Sequence, residues 1–310
     1  MSLETDLLLD RRRLKRHLLF WRGFAVLAVL VCALVLAGRG GALPHRPHLA
    51  RLNVTGIITE NRKLTDAVTV LAKDDSVKAL IVYIDSPGGS VAGGESLHAA
   101  IAQVAAVKPV VSVMGGTAAS AGYMVAVPAA RIWAREATLT GSIGVLLETG
   151  EVSGLLANIG VTADAITSGP LKDQPSFTRK LTPEGREVLH GLVMDMYDQF
   201  VGMVASGRHM DPDKVRALAD GRAYTGRQAL RLGLVDAIGG EADARAWLAA
   251  QRHIPVSLPV QDVRTETLAQ RALGASLGTM LEGTFKTLLS QGLRLDGAWA
   301  LWQPSATGGE

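Results

Sequence analysis

The run Ala79–Ile84 (ALIVYI) restricts the possible folds more than any other segment of the chain. Six consecutive apolar residues predict a strand buried on both faces, which is typical of parallel sheets covered by helices. Leu52–Ile58 and Pro109–Met114 also predict strands. The segments between the strands, Leu64–Ala72 and Val91–Val107, predict helices. The chain is therefore expected to adopt an α/β fold with a mainly parallel sheet.

The same pattern continues beyond these segments. We expect a helix over Ala118–Val127, a strand over Arg131–Ala134, a strand over Val161–Thr167 and a long helix over Pro183–Arg208. Ala223–Gly240 predicts a turn, a helix, a turn and a strand. Because ligands bind at the carboxyl ends of parallel strands, the turns that follow the strands are the places to look for a site.

Composition excludes several classes of function. Hydrophobic residues make up 48% of the chain and charged residues 20%, as in ordinary globular proteins. The net charge of +3 comes from a basic cluster before residue 23, so it does not indicate nucleic-acid binding. Cys32 is the single cysteine, which excludes an intramolecular disulfide and a cysteine zinc site. We expect no metal and no organic cofactor, because Asp85 and Asp236 lack the clustering of a metal site.

The N-terminal region predicts a membrane anchor. Gly23–Gly38 has no charge and no proline, and Leu18–Trp21 extends it to the roughly twenty residues that cross a bilayer if Arg22 snorkels to the headgroups. Most basic residues precede the span and only Arg39 follows closely, so the N-terminus should be cytoplasmic. A cleaved signal peptide is the alternative.

These features divide the chain into five predicted parts. They are a basic cytoplasmic tail (1–22), a transmembrane anchor (23–38, with a span that could begin near 18), a linker (39–50), a folded domain (51–250) and a C-terminal amphipathic helical extension (251–310). The extension could contact a membrane or another subunit, or form a loose arm.

Two turns that follow strands carry candidate chemistry. In Asp85–Gly89 (DSPGG), the glycines allow a sharp turn and close approach of a ligand, and free N–H groups there could bind an oxyanion. In Gly115–Met124 (GGTAASAGYM), Ser120 lies near a helix N-terminus among small residues, where the helix dipole and the next N–H favour negative charge. Each turn could equally be purely structural.

A serine hydroxyl needs a base to become a good nucleophile. None of the seven histidines occupies a loop position of the kind that a triad base usually takes. A neutral lysine can replace histidine when burial or nearby cations favour its uncharged form. Lys172, in the loop Ser168–Asp173 (SGPLKD), is one candidate, although a surface charge is the commoner role of a loop lysine.

Five motifs in order resemble the signal peptide peptidase A family of Ser/Lys proteases in its short bacterial form. They span roughly Leu52 to Gly240 and are DSPGG, GTAASAGYM, LTGSIG (Leu139–Gly144), ITSGPLKD (Ile166–Asp173) and GRAYTGRQALRLGLVD (Gly221–Asp236). The resemblance implies a Clp protease/crotonase-like spiralled core. It also implies that Ser120 is the nucleophile, Lys172 the general base, Ser142 the hydroxyl that orients the lysine and Gly89 the oxyanion donor, with Ala121 assisting.

The resemblance further implies a single-pass protein of the bacterial inner membrane whose catalytic domain is extracytoplasmic. Its substrates would be remnant signal peptides and other unfolded or misrouted polypeptides, and its assembly a homo-oligomer. A catalytically silent scaffold of the same fold would lack the serine or the lysine, and both are present. A crotonase-like acyl-CoA enzyme would lack its substrate outside the cytoplasm.

Overall fold

A computed structural model describes residues 17–30 and 46–264 of the chain. Residues 17–30 are helical (α1) and exposed. The predicted anchor continues into residues 31–38, which lie outside the described residues, as do 1–16 of the predicted tail and 265–310 of the predicted extension. Within the two described ranges, no helix combines the length and the hydropathy needed to cross a membrane.

Strands and helices alternate along most of the chain from His48 onward. The strands are β1 (His48–Ile58), β2 (Val77–Gly89), β3 (Val110–Ala119), β4 (Arg131–Ala134), β5 (Leu139–Gly141), β6 (Ala223–Thr225), β7 (Ala237–Ile238) and β8 (Val260–Asp262). The helices are α2 (Arg62–Val70), α3 (Val91–Ala105), α4 (Ala121–Ala126), α5 (Ser153–Asn158), α6 (Pro183–Arg208), α7 (Pro212–Leu218), α8 (Gly226–Leu232) and α9 (Glu241–Arg252).

The strands form one mixed sheet in the order β6-β5-β3-β2-β1-β8, and β4 pairs with both β3 and β7. Every pairing is parallel except that between β5 and β6. The prediction of an α/β fold with a mainly parallel sheet is therefore confirmed.

The central strand β2 is buried on both faces, as its apolar run predicts. Leu80, Val82 and Ile84 pack into a large cluster with the helices α3, α4 and α6. Ala79 and Ile81 face the opposite side, where they pack into a cluster with α9. All five residues are 0% exposed. The sheet is thus covered by helices on both faces, and its carboxyl edge remains for a site.

The neighbouring strand β3 forks half-way along its length. Val111–Val113 pairs with β4, whereas Thr117–Ala119 pairs with β5. The fork coincides with an irregularity beside β2, where Ile84 and Ser86 are two residues apart but their partners in β3 are four apart. At this irregularity a side chain takes the place of a main-chain acceptor: Thr117 N–H donates to Asp85 Oδ1 (3.0 Å).

Several elements differ from those predicted from sequence. The predicted turn Asp85–Gly89 is the end of β2, because Ile57 and Ile58 of β1 pair with Gly88 and Gly89. β3 continues to Ala119 rather than Met114, because β5 supplies a partner beyond the fork, and α4 accordingly begins at Ala121. The strand predicted over Val161–Thr167 is wrong: these residues have no regular secondary structure and are exposed. An alternation of apolar residues predicts a strand only where another strand can pair with it.

The end of α6 is held by a buried ion pair. Arg208, the last residue of the helix, donates from Nη2 to Asp236 Oδ1 (2.7 Å) and from Nη1 to Oδ2 (2.9 Å). Asp236 Oδ2 also accepts from Ile132 N–H (2.8 Å), at the start of β4. Since the Arg208 side chain is only 8% exposed, this network joins α6 to the sheet inside the domain.

Candidate active site

Ser120 occupies the junction between β3 and α4 in a strained conformation. Its φ of 54° and ψ of −123° are rare for a residue with a side chain and cluster at functional sites. The surrounding main chain holds it there: Ser120 N–H donates to Gly141 O (2.9 Å), and Ser120 O accepts from the N–H groups of Tyr123 and Met124. The hydroxyl makes no capping bond to the helix. It is therefore available for chemistry at the carboxyl edge of the sheet.

The end of β2, which holds the DSPGG motif, lies against this serine. Its last two residues, Gly88 and Gly89, each have to be glycine for a different reason. A Cβ on Gly88, whose φ is +117°, would lie 2.8 Å from Ser120 Cβ and 3.2 Å from Ser120 Oγ. A Cβ on Gly89 would lie 1.8 Å from Ile58 O of β1. The end of β2 is thus in contact with Ser120 on one side and with β1 on the other.

Ala121 is the first residue of α4. Among residues 46–264 its N–H group has no hydrogen-bond acceptor, as is usual for the first N–H groups of a helix. The group follows Ser120 directly and belongs to the positive end of the helix dipole. It can therefore donate to an oxygen that develops negative charge beside the serine.

Ser142 is linked to Ser120 through a single residue. Gly141 O accepts from Ser120 N–H, and Ser142 follows with a φ of 47°. Ser142 N–H donates to Arg222 O (3.0 Å), and its Oγ donates to Gly221 O (3.2 Å). The fork in β3 thus brings Ser120 and Ser142 to the same end of the sheet.

Lys172 lies in an exposed turn. Its main-chain N–H donates to Gly169 O (3.1 Å). Within residues 46–264, no hydrogen bond joins its ammonium group to Ser120 or Ser142. The structure therefore brings together Ser120, Gly89, Ala121 and Ser142, but leaves Lys172 exposed to solvent in the single chain.

His98 lies on α3 and contacts the other end of the serine-bearing helix. Its Nδ1 is 2.8 Å from Met124 O, so the ring donates to one of the last carbonyls of α4. Burial lowers the pKa of His98 against the opposing effects of this bond and of Glu95. The sequence predicts no role for His98, since nothing in the motif pattern shows that α3 and α4 touch.

Stability should therefore decrease in acid. The unfolded chain takes up a proton on His98 near pH 6.5 and the folded chain at lower pH, so stability is lost as the pH falls below about 6.5. We expect His98→Gln to show a smaller fall in Tm between pH 7.5 and 5.5 than the parent chain. His190→Gln, at an exposed position of α6, is the control. An unchanged fall in Tm for His98→Gln would contradict this origin.

Comparison with known proteins assigns the chain to a family. The model of peptidase family S49 matches residues 102–255, an interval that contains Ser120, Ser142 and Lys172. "Putative protease slr0021" of Synechocystis sp. is 42% identical over 205 residues, which are 66% of this chain and 74% of that protein. The chain belongs to peptidase family S49.

A second relative carries the name of a signal peptide peptidase. "Putative signal peptide peptidase SppA" of Enterococcus faecium is 36% identical over 210 residues, which are 63% of this chain and 61% of that protein. The resemblance to the signal peptide peptidase A family is therefore confirmed, and the S49 chain is a serine protease. It spans less than two thirds of this second relative's length.

Among solved structures, a mutant of the 1510-N membrane-bound stomatin-specific protease matches with a TM-score of 0.46 and 15% identity. The match covers 71% of this chain and 98% of that chain. The fold class given above rests on the order and direction of the strands alone. The more detailed expectation, a spiralled core of the Clp protease/crotonase type, stays a prediction.

Proposed function

We propose that this S49 protein is a membrane-anchored endopeptidase in which Ser120 and Lys172 form a catalytic dyad. The observation that carries the proposal is the conformation of Ser120. Ser120 is strained, its hydroxyl makes no capping bond to α4, and it lies beside Gly88. This arrangement is the one expected of a nucleophile.

The mechanism is acyl transfer. The Lys172 amine takes the proton from Ser120 Oγ as the oxygen attacks the peptide carbonyl, and the carbonyl π electrons move onto its oxygen. The N–H groups of Gly89 and Ala121 stabilise that oxyanion. The lysine then protonates the leaving amine, and a water molecule activated by the same lysine releases the acyl group. Ser142 orients the lysine by a hydrogen bond.

The exposure of Lys172 supports a site that is completed by assembly. An ammonium ion has no lone pair to accept a proton, and removal from water favours the neutral amine. Several apolar side chains in the irregular segment between α5 and α6 (159–182), which contains Lys172, are also exposed, among them Ile166, Leu171 and Phe177. A second copy of the chain that covers this segment would bury the lysine and the apolar side chains together, so we propose a homo-oligomer.

The anchor and the substrates complete the proposal. The apolar run of residues 23–38 and the basic cluster before it support a single span in the bacterial inner membrane, with the catalytic domain outside the cytoplasm. There the enzyme would degrade remnant signal peptides and other unfolded or misrouted polypeptides. No cofactor is needed for this chemistry.

The proposal is tested with the full chain in detergent micelles. We expect it to cut a synthetic signal peptide within its apolar stretch, while a folded protein of similar length stays intact, with products identified by mass spectrometry. Ser120→Ala, which keeps the backbone of the site, should yield no product above background. Cleavage by Ser120→Ala at the parent rate would refute the proposed nucleophile.

A further inference from the structure

Ser86, the second residue of the DSPGG motif, is a buried polar residue with a distinctive position. Its side chain is 0% exposed. It lies where the pairing of β2 with both of its neighbours becomes irregular. The pairing with β1 shifts between Thr55 and Ile57, and the pairing with β3 shifts between Ile84 and Ser86. A hydroxyl at a double irregularity can satisfy the main-chain groups that the ladders leave without regular partners.

The hydroxyl joins β1 to the end of β2 that faces Ser120. Ser86 Oγ is 2.6 Å from Gly56 O and accepts from Gly88 N–H at 3.1 Å. A hydroxyl has one proton, and two carbonyl oxygens lie near it, Gly56 O at 2.6 Å and Gly88 O at 3.4 Å. The proton goes to the nearer Gly56 O, and a lone pair of Oγ receives the Gly88 N–H. The directions of both hydrogen bonds are therefore fixed.

This bond determines which N–H group at the end of β2 can face a substrate. The Gly88 N–H points inward to Ser86 Oγ and is already used. In the register that pairs Ile58 with Gly89, Ile58 O accepts from Ser90 N–H (2.9 Å), so the Gly89 N–H points away from β1 and is the one left to serve as oxyanion donor. Gly88 has a φ of +117° and no side chain, and it pairs with Ile57 of β1 just beyond the irregularity. The Ser86 hydroxyl therefore adds a second restraint on Gly88 to that of the ladder.

Ser86 also lies against the helix that carries the nucleophile. A Cβ on Gly122 of α4 would lie 3.0 Å from Ser86 O and 3.5 Å from Ser86 Cβ. The residue therefore contacts the end of β2 with the oxyanion donor and the helix with the nucleophile at once. Ser86 therefore helps to fix the position of the oxyanion donor relative to the nucleophile.

We propose that Ser86 is a positioning residue that directs the Gly89 N–H at the oxyanion by holding the Gly88 N–H. The inference rests on the proposed function, in which Ser120 attacks and Gly89 donates. Ser86 touches no reacting atom itself. Its effect is transmitted through the peptide unit between Gly88 and Gly89.

Ser86→Ala tests this inference when turnover and transition-state binding are measured together. We expect kcat to fall about 10–100-fold, somewhat less than the loss of a complete oxyanion donor, with KM changed less than about 3-fold.

The probe of transition-state binding is a peptide aldehyde. Ser120 Oγ adds to its carbonyl carbon, the hydroxyl proton passes to the Lys172 amine and the π electrons move onto the oxygen, as in the reaction. Its Ki should rise by about the same factor as kcat/KM falls.

Ser112→Ala is the matched control. Ser112 is also 0% exposed, and its Oγ donates to a main-chain carbonyl, Ala126 O, at 3.1 Å. The substitution removes the same atoms from the same core but leaves the end of β2 intact. We expect a similar loss of stability with Ki of the aldehyde within about 2-fold of the parent value. Ser86→Cys keeps the size of the side chain with weaker hydrogen bonds and should lie between Ser86→Ala and the parent.

The outcomes distinguish a positioning role of Ser86 from a role in stability alone. If kcat falls in Ser86→Ala or Ser86→Cys while Ki stays at the parent value, only the amount of folded enzyme has changed and the inference is wrong. Unchanged kcat and Ki would also overturn it. The proposed function has its own test: activity of Ser120→Ala would refute the nucleophile, whereas an inactive Ser120→Ala with a fully active Ser86→Ala would refute only the role of Ser86.

Discussion

Lys172→Met is expected to lower kcat at least about 10³-fold at neutral pH, with the change in KM small. Without a base the Ser120 hydroxyl is a weak nucleophile, and Lys172 is the proposed base. Lys172→Arg should be equally inactive, because a guanidinium keeps the positive charge but does not give up its proton. The measurement is kcat with a fluorogenic peptide at saturating concentration.

Two further variants make this prediction specific. Lys180→Met removes another exposed lysine near the same irregular segment and should keep parental turnover. The double variant Ser120→Ala/Lys172→Met should be no less active than either single variant, because residues that act as a unit give non-additive losses. Near-parental turnover of Lys172→Met, or full activity of Lys172→Arg, would show that Lys172 is not the base.

Arg208→Met is expected to lower the free energy of unfolding by about 3 kcal/mol. The substitution leaves the Asp236 carboxylate, whose side chain is 29% exposed, without its bidentate partner. It also removes the donors to Gly233 O at the turn before β7. Urea unfolding of parent and variant at one protomer concentration measures the loss, with an unchanged m-value expected.

Arg216→Met is the control for the buried ion pair. Arg216 and Asp198 also form a pair with an N–O distance of 2.7 Å, but their side chains are 45% and 54% exposed. Solvent screening leaves such a pair worth less than about 1 kcal/mol. Equal losses for Arg208→Met and Arg216→Met would mean that burial does not determine the strength of the Arg208–Asp236 interaction.

The sequence was sufficient to predict the centre of the sheet but not its fork. The run Ala79–Ile84 contains six apolar residues in a row, and only a strand with helices on both sides buries all of them. The end of β3 was misplaced because GGTAA has weak strand propensity. Its extended conformation comes from pairing with β5, a tertiary effect that local sequence does not encode.

The site could be predicted in part for the same reason. Ser120 directly follows β3, and Gly89 is the last residue of β2. Both belong to conspicuous small-residue motifs, so their neighbourhood follows from parallel topology. Ser86 was missed because a serine within a turn motif gives no sign that its hydroxyl is fully buried. The conformation around Lys172 follows from no periodicity either, since no residue from 144 to 184 is buried against the core.

The fork in β3 gives the two ends of one strand different partners. Val111–Val113, beside β4, packs within the core, whereas Thr117–Ala119, beside β5, leads directly to Ser120. β5 contacts the nucleophile through one main-chain oxygen, that of Gly141. Substitutions in β4 should therefore change mainly the stability of the domain, whereas substitutions in β5 should also shift the main chain of Ser120.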